Sequence, residues 1–150
     1  MSAPHAPPRR VRVLLVEDSR TQAALIAAIL ESYEVLDLIR VLEDGEQALA
    51  YLRREGAHAD AERPDLVLLD LHLPKKDGIE VLREVKADPD LRQIPVVMLT
   101  SSDRQDDVAS CYAAGASSYI TKPVDVEGME RVLKLVSDYW AGANVSLPRG

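Results

Sequence analysis

Five short segments rich in apolar residues recur along the chain, and the stretches between them repeat apolar residues at helical spacing. Four of the short segments are nearly continuous apolar runs, at 11–16, 65–70, 94–100 and 117–121. Strands that are covered on both faces read as continuous runs, which is typical of a parallel sheet. The fifth segment, VLDLIRVL at 35–42, is interrupted by charged residues, which favours an edge strand.

The helical stretches are bounded by residues that begin or end helices. Their predicted ranges are 19–32, 44–56, 78–89, 103–116 and 124–142. Ser19 and Asp103 are placed to cap helix N-termini, and Gly56 and Gly115 are placed to end helices. The stretch that starts at Asp103 has few strongly apolar positions, so we expect it to be the least firmly packed helix.

Strand and helix thus alternate five times along the chain. This alternation predicts one α/β domain with a central parallel sheet and right-handed crossovers. A chain of 150 residues is long enough for one such domain and too short for two. We expect residues 1–9 to form a flexible leader, 10–141 the domain and 142–150 a C-terminal tail.

The composition narrows the classes of function. A formal net charge of −7 argues against a nucleic-acid-binding face. No apolar run approaches the ~20 residues that a membrane-spanning helix needs, so no membrane partner is expected. The single cysteine, Cys111, cannot form an internal disulfide, which favours a reducing cytoplasm.

Polar residues stand where the predicted strands end. Glu17 and Asp18 follow the first strand, Asp70 ends the third, Thr100 ends the fourth and Lys122 follows the fifth. The carboxyl ends of parallel strands meet at one edge of the sheet, where open α/β sheets bind their ligands. We therefore expect three carboxylates, a hydroxyl and an ammonium to converge there.

This set of groups favours metal-assisted phosphoryl transfer. Clustered acids suit Mg²⁺, which binds a few carboxylates together with waters and phosphate oxygens. Asp70 is the candidate nucleophile, because its strand is expected to lie between the others, and it would form an aspartyl-phosphate. Glu17 and Asp18 would hold the ion. Lys122 and Thr100 would contact the phosphoryl oxygens.

Four motifs, in this order and spacing, resemble the receiver domain of two-component response regulators: VLLVEDS, LVLLDLHLPKKDG, VVMLTSS and YITKP. The resemblance covers roughly residues 10–140. It implies a flavodoxin-like (βα)5 doubly wound parallel sheet with strand order 2-1-3-4-5. It also implies that a histidine kinase's phosphohistidine donates a phosphoryl group to Asp70. The domain would catalyse this transfer and its own slow dephosphorylation without being an enzyme in the usual sense.

The resemblance also implies roles for individual metal ligands. Asp18 and Asp70 would bind Mg²⁺ directly, Glu17 would act mainly through water, and His72 would offer its backbone carbonyl. Glu17 departs from the commonest pattern, which has Asp at this position. The longer side chain extends the reach of the carboxylate and is not expected to abolish metal binding.

The same resemblance predicts how the phosphoryl group would become a signal. Thr100 and Tyr119 match the switch positions, so phosphorylation would alter the surface formed by the fourth helix, fifth strand and fifth helix. The motifs VEDSRTQAALI and EDGEQALAYLR are similar to single-domain regulators paired with phytochrome-type histidine kinases. The expected partner is therefore a sensor histidine kinase, with a bacteriophytochrome as the particular candidate.

The last predicted helix carries a second apolar feature besides its inward stripe. Leu135, Tyr139 and Trp140 extend the apolar arc toward the outside. An exposed apolar patch of this kind often marks an interface. Together with the resemblance, it predicts a homodimer through this region, against the alternative that Trp140 folds back onto its own domain.

Other functions share parts of the pattern. A haloacid-dehalogenase-type phosphatase would carry D-x-D at the nucleophile, but the residue two positions after Asp70 is His72. A flavin-binding module would want a hydroxyl- or Gly-rich loop where this chain has EDSR. A pseudo-receiver that only binds a partner would not need the intact acid, Thr and Lys set. A phosphate sink or phosphorelay intermediate stays open, because we expect no output domain after the fifth helix.

Overall fold

The computed structural model describes residues 10–144 of the chain. Its strands are β1 (Val11–Val16), β2 (Leu36–Leu42), β3 (Leu66–Leu69), β4 (Val96–Thr100) and β5 (Ser118–Thr121). Its α-helices are α1 (Arg20–Glu31), α2 (Gly45–Leu52), α3 (Gly78–Ala87), α4 (Gln105–Ala113) and α5 (Val126–Ser137). A 3-10 turn, Gly56–His58, follows α2, and a π-helical turn, Asp138–Ala143, extends α5. The predicted leader 1–9 and residues 145–150 of the predicted tail lie outside the described residues.

The five strands form one parallel sheet in the order β2-β1-β3-β4-β5. This order confirms the predicted fold class. All four residues of β3 and all five of β4 are buried, as expected for strands covered on both faces. The edge position of β2 is confirmed as well, and it explains how that strand tolerates Asp37 and Arg40.

The helices cover the two faces of the sheet, so the core is divided into two layers. On one face α2, α3 and α4 contribute buried residues such as Leu49, Leu82 and Cys111. On the other face α1 and α5 contribute Ile26 and Leu133. The sheet is therefore doubly wound. Among the residues of α4 only Cys111 is buried, which fits the expectation of a weakly packed helix.

Of the four residues predicted to begin or end helices, Asp103 and Gly56 do not do so. Ser19 does cap α1, and its side chain accepts a hydrogen bond from the backbone N–H of Gln22. Asp103, however, does not cap α4, so that prediction is wrong. The N-cap residue of α4 is Arg104, which makes no side-chain cap. The hydroxyl of Ser102 instead accepts from the Arg104 N–H at 3.4 Å.

The end of α2 was also predicted at the wrong residue. The helix ends at Leu52, and the left-handed residue that follows it is Arg54, with φ of 57°, rather than Gly56. The N–H groups of Arg54 and Glu55 donate to the carbonyls of Tyr51 and Ala50, at 3.1 and 2.9 Å. These two bonds close the helix in a Schellman-type end. Gly56 is itself left-handed and begins the 3-10 turn instead.

Within residues 10–144, no helix combines the length with the apolar character that crossing a membrane requires.

Candidate functional site

The predicted site residues meet at the carboxyl edge of the sheet. The backbone N–H of Glu17 donates to Leu42 O at 2.9 Å. In the same way, the N–H of Asp70 donates to Val16 O at 3.1 Å. These bonds continue the parallel ladder one residue beyond the strands. The acids that follow β1 and β3 are therefore held in place by the sheet itself.

Lys122 is held to the same edge from the far side. Its N–H donates to Thr100 O at 2.7 Å, which ties the end of β5 to the end of β4. The Lys122 side chain reaches back across the edge, and only 6% of it is exposed. Its ammonium contacts both Glu17 Oε1 and Asp70 Oδ2, the latter at 2.9 Å. Lys122 thus lies against two of the acids with which it was expected to converge at this edge.

A third acceptor of the Lys122 ammonium is Gln22, which the sequence analysis missed. The Gln22 Oε1 atom lies 2.5 Å from Lys122 Nζ. Gln22 lies in the first turn of α1, one helical turn after the acidic pair. That position was the available signal, because the side chains of a helix's first turn lie close to the strand end that precedes it.

Burial and pairing act on the pKa values of this cluster. Burial raises the pKa of Glu17, although hydrogen bonds from Lys122 and from the Ser19 backbone act in the opposite direction. Burial alone would lower the pKa of Lys122. Its hydrogen bonds to Glu17 and Asp70 outweigh that effect and hold the pKa above the usual 10.5. Lys122 is therefore a cation at neutral pH.

Three carboxylates form a cluster with the geometry of a cation site. One oxygen each from Glu17, Asp18 and Asp70 lie within 4.8 Å of one another. Glu17 and Asp70 are buried, whereas Asp18 is exposed, so the cluster opens to solvent on the Asp18 side. Hard oxygen donors beside open solvent suit Mg²⁺ or Mn²⁺, which keep several waters. One lysine does not neutralise three acids, so the residues fit a divalent ion.

Thr100 contributes a buried hydroxyl to this region. The residue is fully buried, and its Oγ1 has no hydrogen-bond partner within the described residues. A buried polar atom without a partner costs about 1–3 kcal/mol, so such atoms are rare unless a ligand or a conformational change supplies the partner.

His72 and Tyr119 lie beside the cluster rather than in it. The His72 N–H donates to Asp70 Oδ1 at 3.4 Å, and the residue is exposed. The Tyr119 hydroxyl donates to the backbone carbonyl of Ser102 at 2.8 Å. Burial raises the pKa of Tyr119. The Tyr119 N–H donates to the hydroxyl of Tyr112 at 3.1 Å, a contact that the sequence analysis did not predict.

The loop between β3 and α3 explains the spacing of Asp70, Pro74 and Gly78 within the LVLLDLHLPKKDG motif. A Cβ at Gly78 would lie 2.1 Å from the Asp70 carbonyl oxygen, so only glycine lets α3 begin this close to the strand end. The loop also packs on α2, because the Gly45 N–H donates to Pro74 O at 3.4 Å. Lys75 adopts a left-handed conformation, with φ of 67°.

The prediction that Trp140 faces outward is wrong. Trp140 is partly buried and packs against the core layer of α1 and α5. It lies four residues after Val136 and seven after Leu133, both buried, so it continues the inward stripe of α5. Leu135 and Tyr139 are 69% and 52% exposed, as predicted.

A doubly wound parallel sheet with clustered acids and a buried lysine at its carboxyl edge is the arrangement of a receiver domain. The chain belongs to the response regulator receiver domain family, whose sequence profile matches residues 13–134. It is similar to the response regulator Rcp1 of Synechocystis sp., with 39% identity over 148 residues that cover 99% of each chain.

Two solved structures share this fold closely. The phosphorylated cyanobacterial phytochrome response regulator RcpA superposes with a TM-score of 0.89 at 40% identity, over 93% of this chain and 99% of RcpA. The Mn²⁺-bound form of Rcp1 superposes with a TM-score of 0.85 at 37% identity, over 92% of this chain and 99% of that one. The receiver domain is thus related to phytochrome response regulators.

Proposed function

We propose that this protein is a response regulator that accepts a phosphoryl group from a histidine kinase on Asp70. The observation that carries this proposal is the contact of Lys122 Nζ with Asp70 Oδ2 at 2.9 Å, beside the carboxylate cluster. A carboxylate with a fixed cation at its side can take up a phosphoryl group, because the cation offsets the negative charge that arrives. The phosphorylated state of RcpA supports the proposal.

The proposed transfer uses the carboxylate as an in-line nucleophile. An Asp70 oxygen attacks the phosphorus of a phosphohistidine, so that an O–P bond forms as the P–N bond breaks. The leaving imidazole takes a proton from solvent. Lys122 pairs with one phosphoryl oxygen, and the Thr100 hydroxyl donates to another, which gives this buried hydroxyl a partner. The protein would assist this step and the later slow hydrolysis without turning over any other substrate.

We propose Mg²⁺ as the ion of this site. Asp18 and Asp70 would bind it directly, Glu17 through water and His72 by its backbone carbonyl. When bound, the ion neutralises charge on the phosphoryl oxygens. The three clustered carboxylate oxygens support a divalent cation, and so does the Mn²⁺-bound form of Rcp1.

Thr100 and Tyr119 are the proposed switch. Movement of Thr100 toward the phosphoryl group would open space that Tyr119 could occupy by giving up its bond to Ser102. Because α4 buries only Cys111, its position can respond at low cost. The surface of α4, β5 and α5 would then signal to a partner.

Phosphorylation by acetyl phosphate in the presence of Mg²⁺ tests the proposal. Intact-mass measurement should find one acid-stable, base-labile phosphoryl group on the wild type and none on Asp70→Asn. Asp60→Asn, an exposed loop variant, is the matched control and should be phosphorylated like the wild type. Phosphorylation of Asp70→Asn to the wild-type extent would contradict the proposal.

The proposed upstream partner is a phytochrome-type sensor histidine kinase, a bacteriophytochrome in particular. The likeness to the phytochrome response regulator RcpA supports it. We further propose a cytoplasmic location, which the single cysteine supports, and no nucleic-acid or membrane partner. The net charge of −7 supports the absence of a nucleic-acid partner. A regulator of this kind could signal through its own surface or act as a phosphate sink or relay. Transfer rates from purified kinases would test the pairing.

A homodimer through the end of α5 is also proposed, with its contact surface revised. The exposed residues Leu135 and Tyr139 form the apolar surface, while Trp140 supports it from beneath through an edge-on ring contact with Tyr139, 5.0 Å between centroids. Leu135→Asp should therefore reduce the sedimenting mass without unfolding the domain. Equal masses for wild type and variant would end this proposal.

A further inference from the structure

Each N–H donor of the Lys122 ammonium has an acceptor on a neighbouring side chain in this structure. An ammonium group carries three N–H donors and no acceptor. Within the part of the chain that the structure describes, three acceptors contact it: Glu17 Oε1, Asp70 Oδ2 and Gln22 Oε1, the last two at 2.9 and 2.5 Å. A phosphoryl oxygen can therefore bond to Lys122 only if one of these acceptors is released.

Gln22 is the acceptor whose release costs least. Glu17 and Asp70 are buried anions, and separating either from Lys122 leaves a desolvated charge without its partner. Gln22 is neutral and exposed, so water can take over its amide oxygen when the contact is broken. The Gln22 backbone is fixed independently, since its N–H donates to Ser19 Oγ at 3.3 Å.

We propose that Gln22 is a positioning residue for phosphorylation, which holds one Lys122 N–H in the resting protein and yields it to a phosphoryl oxygen. The proposal rests on phosphorylation at Asp70 and adds a residue to that site. Gln22 acts through Lys122. The stronger the hydrogen bond between the two side chains, the less readily the phosphorylated state forms.

Two substitutions change the strength of the interaction between residue 22 and Lys122 in opposite directions. Gln22→Met keeps the length of the side chain but offers only a weak thioether acceptor, so the resting state loses a charge-assisted bond that the phosphorylated state lacks anyway. Beryllofluoride, a phosphoryl mimic, should then bind about tenfold more tightly. Gln22→Glu binds Lys122 as an anion and repels the incoming negative group, so binding should weaken about tenfold.

Isothermal titration of beryllofluoride at saturating Mg²⁺ tests these expectations. Gln93→Met is the matched control, because it makes the same substitution at an exposed position in another part of the chain. The thermal midpoint of each unliganded protein is the second measurement. Gln22→Met should lower that midpoint while it raises beryllofluoride affinity, a combination that a general structural weakening does not produce.

The outcomes separate this inference from the proposed function. Absence of beryllofluoride binding by the wild type would overturn both. Wild-type binding with Gln22→Met and Gln22→Glu indistinguishable from Gln93→Met would overturn the role of Gln22 and leave phosphorylation at Asp70 standing. Weaker binding by both Gln22 variants would also overturn it, because opposite changes are required.

Discussion

Lys122 Nζ lies 2.9 Å from Asp70 Oδ2, although 52 residues separate the two along the chain. Parallel strands bring them together, because Asp70 follows β3 and Lys122 follows β5, with β4 between them. The same ammonium contacts Glu17 after β1. A single cation thus joins the carboxyl ends of three strands. Its removal should lower the free energy of unfolding as well as impair phosphorylation of Asp70.

Lys122→Ala should lower the free energy of unfolding by about 3 kcal/mol without divalent ions, because it leaves buried carboxylates without their cation. Mg²⁺ should restore part of that loss by occupying the acidic cluster. Urea denaturation with chelator and with Mg²⁺ measures both effects. Lys134→Ala, which removes an exposed lysine paired with Asp138, should change nothing measurable. A Lys122→Ala protein as stable as the wild type in chelator would contradict the structural role.

Gly78→Ala should be severely destabilising, because its Cβ would lie 2.1 Å from the Asp70 carbonyl oxygen. Backbone must move to relieve this contact, so we expect a loss of about 3 kcal/mol or more and weaker phosphorylation of Asp70. Gly142→Ala is the control, since no atom of residues 10–144 lies within 4 Å of a Cβ there. Thermal denaturation of the two variants makes the comparison, and equal midpoints would show that the loop adapts more easily than its packing indicates.

Lys75→Gly should stabilise the protein modestly. Lys75 adopts a left-handed backbone with φ of 67°, which costs a residue with a Cβ about 1 kcal/mol. Glycine removes that strain but gains freedom in the unfolded chain, so the net gain should stay below about 1 kcal/mol. Lys75→Ala keeps the strain and loses the same weak contact with Asp44, 3.7 Å away, so it serves as the control. A urea midpoint of Lys75→Gly that is no higher than that of Lys75→Ala would rule out backbone strain at this position.

The general fold and most of the site could be predicted because they depend on patterns that repeat along the chain. Continuous apolar runs indicate buried parallel strands, and parallel strands place Asp70 and Lys122 at one edge whatever the details of packing. Gln22 does not belong to such a pattern: its place in the first turn of α1 indicates only that it lies near the strand end, and an exposed glutamine there looks the same whether or not it bonds to a lysine 100 residues away. The left-handed residue that ends α2 is Arg54 and not the predicted Gly56, because the hydrogen bonds that end the helix there outweigh the cost of a left-handed arginine.

Stability should fall at acid pH partly through Glu84. Hydrogen bonding to Lys76, followed by a weaker contribution from Arg53, holds the pKa of Glu84 below its usual 4.5. A carboxyl group with a depressed folded pKa stabilises the protein above the unfolded pKa, and this contribution is lost as pH falls through the folded value. Because Glu84 is about a third exposed, its contribution should stay below about 1 kcal/mol. Glu84→Gln should make the urea midpoint less sensitive to pH between about 5 and 3. An unchanged pH dependence would exclude Glu84 as a contributor.

Tyr112→Phe should loosen the outer edge of β5 without affecting phosphorylation directly. The Tyr112 hydroxyl accepts the N–H of Tyr119, an edge-strand amide that points away from β4. Removing this acceptor costs about 0.5–1.5 kcal/mol and exposes the amide to water. Amide hydrogen exchange at Tyr119 should therefore accelerate, while exchange in β1 and β3 stays unchanged. Tyr33→Phe is a matched control on the opposite layer of the fold.

If Tyr112 restrains the switch, beryllofluoride should also accelerate exchange at Tyr119 in the wild type and have less effect in Tyr112→Phe. Equal protection of Tyr119 in wild type and variant would mean that the hydroxyl contact does not hold this edge.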